Sequence, residues 1–478
     1  MVRLITDTPQ YFNDIAEEIR MFLGLVSVTP DETPETELTI SATLNDVDRT
    51  ATASAGGDPI TVSYTVDPND PLDQKRQEKR ALKRAVYALM QRLYPTEMPW
   101  GSLTGIRPTK LLRELCERVG DEEAVRQFRE VFSVRLDKLR LAATINAVQK
   151  PIIASVQPDD VDIYVGIPYC KTRCLYCSFG AEIAKKNAIA EYLPYLYKDI
   201  ENGARLVKDG GFHVRAAYLG GGTPTVLSAE ELDALLTHFE RCYGGFGTEC
   251  TVEAGRPDTI TKEKLQVLRE HGVERISINP QTMSDETLRR IGRAHTAAEI
   301  RDAFALARSM GFSSINMDLI AGLPGETVAN FDRTLSEIKE LRPDNLTMHT
   351  LAIKRSSRLK DQLDKYPLPP REDVETMIDM GFSAAREIGL WPYYMYRQKY
   401  QNGNLENVGY AANGKLCVYN VDMMEETTSI LAHGAGAMTK RVFDSENRVE
   451  RIPNPKDVPT YGAKLEFLDQ QKRALFLR

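Results

Sequence analysis

Three cysteines lie close together in the segment GIPYCKTRCLYCSF, residues 166–179. Cys170, Cys174 and Cys177 are spaced four and then three residues apart, so their thiolates can reach one small inorganic centre. Thiolates are ligands for both zinc and iron–sulfur clusters. Because three ligands leave one metal position open to a reactant, the pattern predicts a reactive iron–sulfur cluster with one iron that no protein side chain binds.

A structural zinc site and buried cysteines without a metal are the alternatives for this motif. Zinc requires a fourth Cys or His, and the nearest histidine in sequence, His213, follows a predicted helix. The remaining cysteines show no comparable spacing, so we expect them to be packed in the core: Cys116, Cys242, Cys250 and Cys417.

Polar residues also follow the strands predicted beyond Asp159. The second strand ends in GGGTPT, where Gly221 and Gly222 would let backbone amides beside Thr223 approach a ligand closely. A tight turn is the alternative for this glycine run. Its position after a strand and before a helix favours a ligand-binding loop.

Glu253 is a carboxylate in an otherwise apolar third strand, VEAGRPD. Burying it requires a partner, either a ligand ammonium or hydroxyl group or a salt bridge to Arg256 or Arg275. The fourth and fifth strands contribute further polar residues at their ends: Gln281, Arg293 and Asp318.

Alternating apolar strands and amphipathic helices must position these residues. Alternation of this kind indicates βα units and a parallel sheet. The predicted strands are VDIYVGI, RAAYLG, CTVEAG, RISINP, INMDLIAG and LTMHTLAI. Six units are fewer than the eight of a closed barrel, so we predict an α/β fold with a partial (β/α)6, TIM-like barrel. Functional residues should gather at the carboxyl ends of its strands.

The rest of the chain predicts accessory regions on both sides of this barrel. Residues 9–26 have helical apolar spacing, residues 36–45 and 59–66 alternate as strands, and the pattern is helical from Pro71 to about Ile153. The tail looks irregular and rich in strands. We predict three domains: an N-terminal α/β and helical domain, a barrel and a C-terminal accessory region, covering residues 1–155, 156–390 and 391–478.

Composition limits the classes of function. A formal net charge of -7 provides no general field for nucleic acid or anionic membranes. The N-terminus lacks the features of a signal peptide, and no run of 18 apolar residues occurs. An odd number of cysteines, seven, favours a reducing compartment. We therefore expect a cytoplasmic protein without membrane insertion or a nucleic-acid partner.

The motif and the strand-end residues resemble the oxygen-independent coproporphyrinogen III oxidase family of the radical S-adenosylmethionine (SAM) superfamily. The resemblance covers roughly residues 160–355. It implies a [4Fe–4S] cluster on the three cysteines, with SAM chelating the open iron through its amino and carboxylate groups. It also implies these SAM-contacting positions: Tyr164, Tyr176, Gly221, Gly222, Thr223, Glu253, Gln281, Arg293, Asp318 and Ala352, the last through its backbone.

The segments PWGSLTGIRPTK, HTLAIKRSS and YRQKYQNGNLENVGYA resemble the HemZ-type coproporphyrinogen dehydrogenase branch of this family. The resemblance implies an oxidoreductase of porphyrin and haem biosynthesis. The reduced cluster would split SAM to a 5′-deoxyadenosyl radical, which abstracts a hydrogen atom from a propionate β-carbon. Loss of carbon dioxide and one electron would leave a vinyl group, and two such conversions turn coproporphyrinogen III into protoporphyrinogen IX. A low-potential electron donor and an electron acceptor are implied partners.

One departure from the family concerns Gly166, which occupies a position where the family commonly has histidine. Two alternatives therefore stay open. One is a haem-binding or haem-trafficking protein, with His349 or His433 as an axial ligand. The other is a radical SAM enzyme acting on another tetrapyrrole, for example by methyl transfer.

A substrate with four carboxylates requires cationic partners, ideally arginine forks. A solvated surface charge is the alternative for each candidate. The candidates are Arg107, Lys110, Lys354, Arg355, Arg358 and Arg397.

Overall fold

The computed structural model describes residues 1–477 apart from 25, 71, 106, 178–180, 186, 355, 399–401 and 444–447. The chain divides into two compact units. The N-terminal unit comprises Met1–Ala143 and Arg397–Glu406, and the barrel unit comprises Thr144–Tyr396 and Asn407–Arg478. The three-domain division stays a prediction.

The N-terminal unit contains a mixed five-stranded sheet covered by helices. Its strands are β1 (Val2–Thr6), β2 (Val28–Thr29), β3 (Leu38–Asn45), β4 (Thr50–Ser54) and β5 (Ile60–Ser63), in the order β2-β1-β3-β4-β5. Helices α1 (Phe12–Leu23) and α2 (Asp73–Leu93) pack together, and α2 lies on β4 and β5. Apolar residues at helical spacing, such as Ile15 and Leu82, are fully buried against this sheet.

Three more helices follow α2: α3 (Pro108–Val119), α4 (Asp121–Arg126) and α5 (Leu136–Ala154). A π-helical turn over Gln127–Val131 continues α4. The helices predicted for this stretch are thereby confirmed, as are the N-terminal helix and the two strands predicted there, now seen as β3 and β5. The prediction did not include β1 and β4.

The barrel unit alternates strands and helices. Its strands are β6 (Asp160–Ile167), β7 (Tyr169–Cys170), β8 (Glu182–Ile183), β9 (His213–Gly221), β10 (Glu249–Gly255), β11 (Arg275–Ile278), β12 (Ser314–Ala321), β13 (Asn345–Thr350), β14 (Trp391–Tyr396), β15 (Asn407–Ala411), β16 (Ser429–His433), β17 (Met438–Phe443) and β18 (Arg448–Pro453). Its helices are α6 (Ala188–Asp209), α7 (Ala229–Tyr243), α8 (Lys262–Glu270), α9 (Asp285–Arg290), α10 (Ala297–Ser309), α11 (Val328–Leu341), α12 (Arg371–Glu387), α13 (Val418–Glu425), α14 (Val458–Ala463) and α15 (Leu465–Phe476).

The six predicted strands are neighbours in one parallel sheet, in the order β6-β9-β10-β11-β12-β13. The partial-barrel prediction is confirmed. Several helices between the strands begin at capping boxes, in which a Ser or Thr and a residue three positions later satisfy each other's backbone amides. These caps lie at Ser228, Thr296 and Thr327.

The tail extends this sheet at both edges. Strand β16 is parallel to β6, and β17 and β18 follow it in antiparallel pairing. At the other edge, β15 pairs with β13 and β14 pairs with β15. The outer strands β14 and β18 of this described sheet do not pair with each other, so the barrel is open.

None of the described helices is long and apolar enough to cross a membrane.

Candidate cofactor site

The cysteine loop follows β6 and is fixed by backbone contacts on two sides. Leu175 N–H donates to the Ile291 carbonyl at 2.9 Å, and Leu359 N–H donates to the Leu175 carbonyl at 3.0 Å. Cys174 is buried, while Cys170 and Cys177 are half-buried. The loop is thus held in place by residues that follow the fourth and sixth barrel strands.

The glycine run after β9 packs against the start of this loop. Gly222 N–H donates to Ile167 O at 2.7 Å, and Thr223 N–H donates to Tyr169 O at 2.8 Å. A Cβ at Gly222 would lie 2.3 Å from Tyr169 O, so only glycine permits this approach. The Thr223 hydroxyl lies 3.5 Å from Cys170 Sγ. The predicted cofactor residues of this run therefore adjoin the first cysteine.

Two arginines lie beside Cys174. Arg256 is buried, and its Nη1 is 3.9 Å from Cys174 Sγ. Asp258 holds the other side of that guanidinium through oxygens at 3.0 and 3.2 Å. Arg293 lies 3.5 Å from the Tyr176 hydroxyl. Burial alone would lower the pKa of Arg293, but the neighbouring Tyr176 and Cys174 outweigh burial and raise this pKa.

The sequence predicts Arg256 only as an ion-pair partner for Glu253. In the structure it pairs with Asp258, while Arg275 lies 3.4 Å from Glu249. Both salt-bridge alternatives for Glu253 are therefore wrong. The signal that could have found Arg256 is its position directly after a barrel strand, where site residues gather.

Glu253 instead accepts a hydrogen bond from the Tyr218 hydroxyl at 2.7 Å. Burial, with a further contribution from the charge of Asp318, raises the pKa of Glu253 to about 7, against the opposing effect of the Tyr218 hydrogen bond. Tyr218 stacks against both Tyr164 and Tyr419, with ring centroids at 6.3 and 4.6 Å, and the rings of Tyr164 and Tyr419 lie 6.4 Å apart. The carboxyl group lies beside this aromatic stack, which sequence patterns did not reveal because Tyr419 comes from the tail.

Gln281 and Asp318 are joined through the backbone, since Gln281 N–H donates to Asp318 O at 2.8 Å. Gln281 adopts a left-handed backbone conformation, with φ of 68°. Asp318 accepts from Asn316 at 2.8 Å, and its second oxygen is 3.7 Å from His349 Nε2. Burial opposes ionisation of Asp318, but His349 and Asn316 outweigh it and lower the pKa. Tyr396 completes this group with its hydroxyl 3.3 Å from His349 Nδ1.

Two polar atoms of this set are buried without a hydrogen-bond partner among the described residues, Gln281 Oε1 and Arg293 Nε. Such orphaned groups are rare in folded proteins. A ligand with both donors and acceptors would satisfy them, beside a carboxyl at Glu253 and a carboxylate at Asp318. The amino, carboxylate and hydroxyl groups of SAM have this chemistry, so the residues fit it.

The three cysteines suit an iron–sulfur cluster. In the described part of the chain, no three His, Cys, Asp or Glu side chains are close enough to hold one metal ion. In an iron–sulfur cluster each thiolate binds a different iron, so the sulfurs can lie farther apart. The guanidinium groups beside Cys174 suit anionic thiolates.

The remaining predicted residues are distributed over both units. In the barrel unit, Ala352 and Lys354 are half-buried beyond β13, and burial lowers the pKa of Lys354. Arg358 donates to the Arg173 carbonyl at the cysteine loop. Arg355 lies outside the described residues. Three candidates belong to the N-terminal unit: Arg107, Lys110 and Arg397.

Arg397 is buried, and its guanidinium donates to the carbonyls of Leu103 and Gly105 and to Asn404. Lys110 lies 3.6 Å from Glu114. Through these contacts the N-terminal unit holds the side chains of Arg397 and Lys110. Their role toward a substrate stays a prediction.

Gly166 closely adjoins the tyrosine stack and the tail. A Cβ there would lie 3.3 Å from the Tyr164 ring and 3.4 Å from the His433 carbonyl. The position at which the family commonly has histidine is therefore closely packed in this chain.

Comparison with known families gives one domain match. Residues 164–338 match the model of the Radical SAM superfamily. The matched range begins at Tyr164 in β6 and extends into α11, so it contains the cysteine loop and five of the six barrel strands.

Several known proteins are similar to the chain over longer stretches. The “Oxygen-independent coproporphyrinogen-III oxidase-like protein HemZ” of Bacillus subtilis (strain 168) is 39% identical over 404 residues, which are 83% of this chain and 81% of that protein. The “Heme chaperone HemW” of the same organism is 32% identical over 234 residues, 48% of this chain and 61% of that protein.

A solved structure of the Escherichia coli coproporphyrinogen III oxidase HemN, described as a radical SAM enzyme, has a similar fold. The TM-score is 0.53 at 22% sequence identity, and the match covers 68% of this chain and 73% of that one. At this identity the likeness concerns the fold.

Proposed function

The chain belongs to the oxygen-independent coproporphyrinogen III oxidase family of the radical SAM superfamily and uses its [4Fe–4S] cluster and SAM, and on this premise we propose that it oxidatively decarboxylates coproporphyrinogen III. Each propionate would lose one hydrogen atom from its β-carbon, one molecule of carbon dioxide and one electron, leaving a vinyl group. An acceptor takes the electron. Two propionates would react, giving protoporphyrinogen IX.

The observation that carries this proposal is the set of buried polar groups at the strand ends. Gln281 Oε1 and Arg293 Nε lack protein partners in the described chain, and the half-buried carboxyl of Glu253 lies on strand β10, next to the strand that precedes them. A protein that only carried haem would not need to retain these groups. Their presence supports SAM handling, and hence catalysis.

The cofactors, when bound, supply the hydrogen-abstracting radical chemistry, and the chain supplies binding and orientation. We assign the cluster to Cys170, Cys174 and Cys177. Glu253 would accept hydrogen bonds from a SAM amino or hydroxyl group, and the guanidinium of Arg293 would bind a carboxylate. The other residues assigned to SAM are Tyr164, Tyr176, Gly221, Gly222, Thr223, Gln281, Asp318 and Ala352.

Haem trafficking is the main competing function, because similar proteins include a heme chaperone. The histidines that could serve as axial ligands are engaged in the structure. His433 is fully buried between Asp199, at 3.2 Å, and the Tyr243 hydroxyl, at 2.7 Å. His349 lies between Asp318 and Tyr396. These contacts favour the enzymatic reading.

The deciding experiment is anaerobic reconstitution with iron and sulfide, followed by coproporphyrinogen III, SAM and a reductant, with products identified by mass spectrometry. Vinyl products and 5′-deoxyadenosine support the proposal. SAM cleavage without any vinyl product would contradict the substrate, and another tetrapyrrole would then be tested for methyl transfer. Tight haem retention without SAM cleavage would favour trafficking.

A matched pair of cysteine variants tests the cluster assignment separately. Cys174→Ala should lose the visible absorption of the reconstituted cluster and most of its bound iron. Cys242→Ala removes a half-buried thiol on α7 outside the site and should retain both. An unchanged spectrum in Cys174→Ala would contradict the ligand assignment.

A further inference from the structure

Helix α2 of the N-terminal unit carries two arginines whose charges are not balanced. Arg80 and Arg84 lie one turn apart on one face, and both side chains are half-buried. Across the described chain neither guanidinium forms a hydrogen bond or an ion pair. Arg76, one turn earlier, differs because it contacts Asp70 at 2.9 Å and Asp73 at 3.1 Å.

The electrostatic surroundings make this arrangement costly. Burial, together with the neighbouring charges of Arg118 and Arg76, lowers the pKa of Arg80 to about 10. Burial also lowers the pKa of Arg84. Removing a charge from water without a partner is unfavourable, and like charges at this spacing repel. The whole chain has a formal charge of -7, so this group of positive charges is opposite in sign to the net charge of the protein.

Packing explains only one of the two side chains. The Arg80 guanidinium lies 4.7 Å from the centroid of the Phe132 ring, and this cation–π contact offsets part of its desolvation. No aromatic ring covers Arg84 among the described residues. Packing therefore accounts in part for Arg80 and leaves Arg84 without a partner in the described part of the chain.

We propose that Arg80 and Arg84, with the exposed Arg118 nearby, form a binding site for an anion that carries at least two acidic groups. Side chains four residues apart on a helix have Cβ atoms about 6 Å apart, so each fork can take a separate carboxylate or phosphate group in bidentate fashion. Two adjacent positive charges without a partner lower the stability of the ligand-free protein, and such a loss of stability is typical of functional sites.

The ligand class follows from the proposed function, on which this step rests. A tetrapyrrole with four propionates supplies several carboxylates on one scaffold, and two of them would occupy the arginine pair. A polyphosphate shares the same anionic chemistry. The site is thus assigned to a multivalent anion, with the carboxylates of the tetrapyrrole as its source.

The test uses the full-length reconstituted protein and two probes, coproporphyrin III and inorganic pyrophosphate. The variant is Arg80→Gln/Arg84→Gln. The control is Arg126→Gln/Arg301→Gln, which removes two exposed arginines that are already paired with carboxylates, Glu123 and Glu337. Dissociation constants are measured by calorimetry, and melting temperatures are measured without a probe.

We expect the α2 variant to bind coproporphyrin III at least tenfold more weakly than the control does. Without a probe it should melt at the same temperature as the wild type or higher, because it loses two half-buried charges that have no partner among the described residues. A structural role predicts the opposite change in melting temperature. Weaker binding of pyrophosphate alone would support the anion site but overturn the tetrapyrrole as its source.

Unchanged binding of both probes would overturn the site itself. Binding of coproporphyrin III does not require turnover, so this outcome is separate from failure of the proposed reaction. That failure would appear as the absence of vinyl products from the wild-type protein.

Discussion

The carboxyl group of Glu253 combines a stability cost with a proposed role in SAM binding. Its pKa rises from 4.5 to about 7 in the folded chain, chiefly through burial. A group that binds protons more tightly when folded stabilises the fold most at low pH, so stability falls as the pH rises from about 4.5 to about 7. Glu253→Gln should therefore stabilise the SAM-free protein at pH 8 by up to about 3 kcal/mol and hardly at all near pH 4.5.

Urea unfolding at the two pH values measures this difference, and calorimetry with SAM measures binding. The variant should bind SAM at least tenfold more weakly, since an amide is a weaker acceptor for an ammonium group. Glu326→Gln is a matched control, because burial also raises the pKa of Glu326 to about 7. It should show the stability change alone. Equal SAM affinity in both variants would contradict the role of Glu253.

Arg256 should tune the reduction potential of the cluster. Its guanidinium is buried 3.9 Å from Cys174 Sγ, and Asp258 fixes its orientation. Hydrogen bonds and positive charge near cluster sulfurs favour the reduced state. Arg256→Gln should therefore lower the reduction potential by an amount on the order of 50 mV. This is a little less than the change that corresponds to a tenfold shift in a one-electron equilibrium. Arg256→Lys should shift it less.

Redox titration followed by electron paramagnetic resonance gives the potential without requiring turnover. The iron content of each variant controls for loss of the cluster. A potential in Arg256→Gln that equals the wild-type value at full iron content would show that the guanidinium does not act on the cluster.

Residue types and spacing identified most of the candidate site because its side chains follow consecutive strands. Cys174 could be proposed from a local motif, and Glu253 from its charge in an apolar strand. Arg256 could not be linked to the cysteines in this way, because 82 positions separate it from Cys174 and only the fold brings them together. For the same reason, the unpaired atoms of Gln281 and Arg293 became visible only in three dimensions.

At the scale of elements, the contact between the glycine run after β9 and the cysteine loop should be required for cluster binding. An added methyl group at Gly222 would clash with the Tyr169 backbone, which cannot yield as a flexible side chain can. Gly222→Ala should therefore displace the loop and reduce bound iron several-fold. Iron and sulfide analysis after reconstitution measures this effect.

The matched control for this prediction is Gly57→Ala, because a Cβ at Gly57 has no atom within 4 Å and the backbone does not require glycine there. Its iron content should equal that of the wild type. A full complement of iron in Gly222→Ala would contradict the prediction, because it would show that the cysteine loop tolerates the added methyl group.

The elements themselves were predictable where the pattern is local. Alternation and helical spacing predicted the six barrel strands and most helices, since each pattern lies within one short segment. Strand β16 was not predicted, because its short run gains its stability by pairing with β6, where Ser429 lies opposite Val161. Strands β1 and β4 were missed for a similar reason, as both pair on two sides within the sheet.

At the scale of the molecule, the N-terminal unit is not formed by one continuous stretch of the sequence. Strands β14 and β15 pair within the barrel unit, yet the loop between them, Arg397–Glu406, belongs to the N-terminal unit. There Glu406 accepts from Trp100 Nε1 at 2.7 Å and lies 2.6 Å from Lys138 Nζ, with all three side chains buried. The N-terminal unit therefore includes a segment supplied by a distant part of the sequence.

This dependence predicts a large effect of a single substitution. Glu406→Ala removes the carboxylate nearest to the buried Lys138 ammonium and the hydrogen-bond acceptor of Trp100. Breaking a buried ion pair in this way costs about 3–5 kcal/mol. Urea unfolding followed by Trp100 fluorescence in a Trp391→Phe background reports on this unit, because the chain has only these two tryptophans. Lys138→Met/Glu406→Leu should recover much of the loss, since an apolar pair replaces a buried ion pair without stranding a charge. If the double variant were no more stable than Glu406→Ala, the loss would come from packing of the loop rather than from the uncompensated charge.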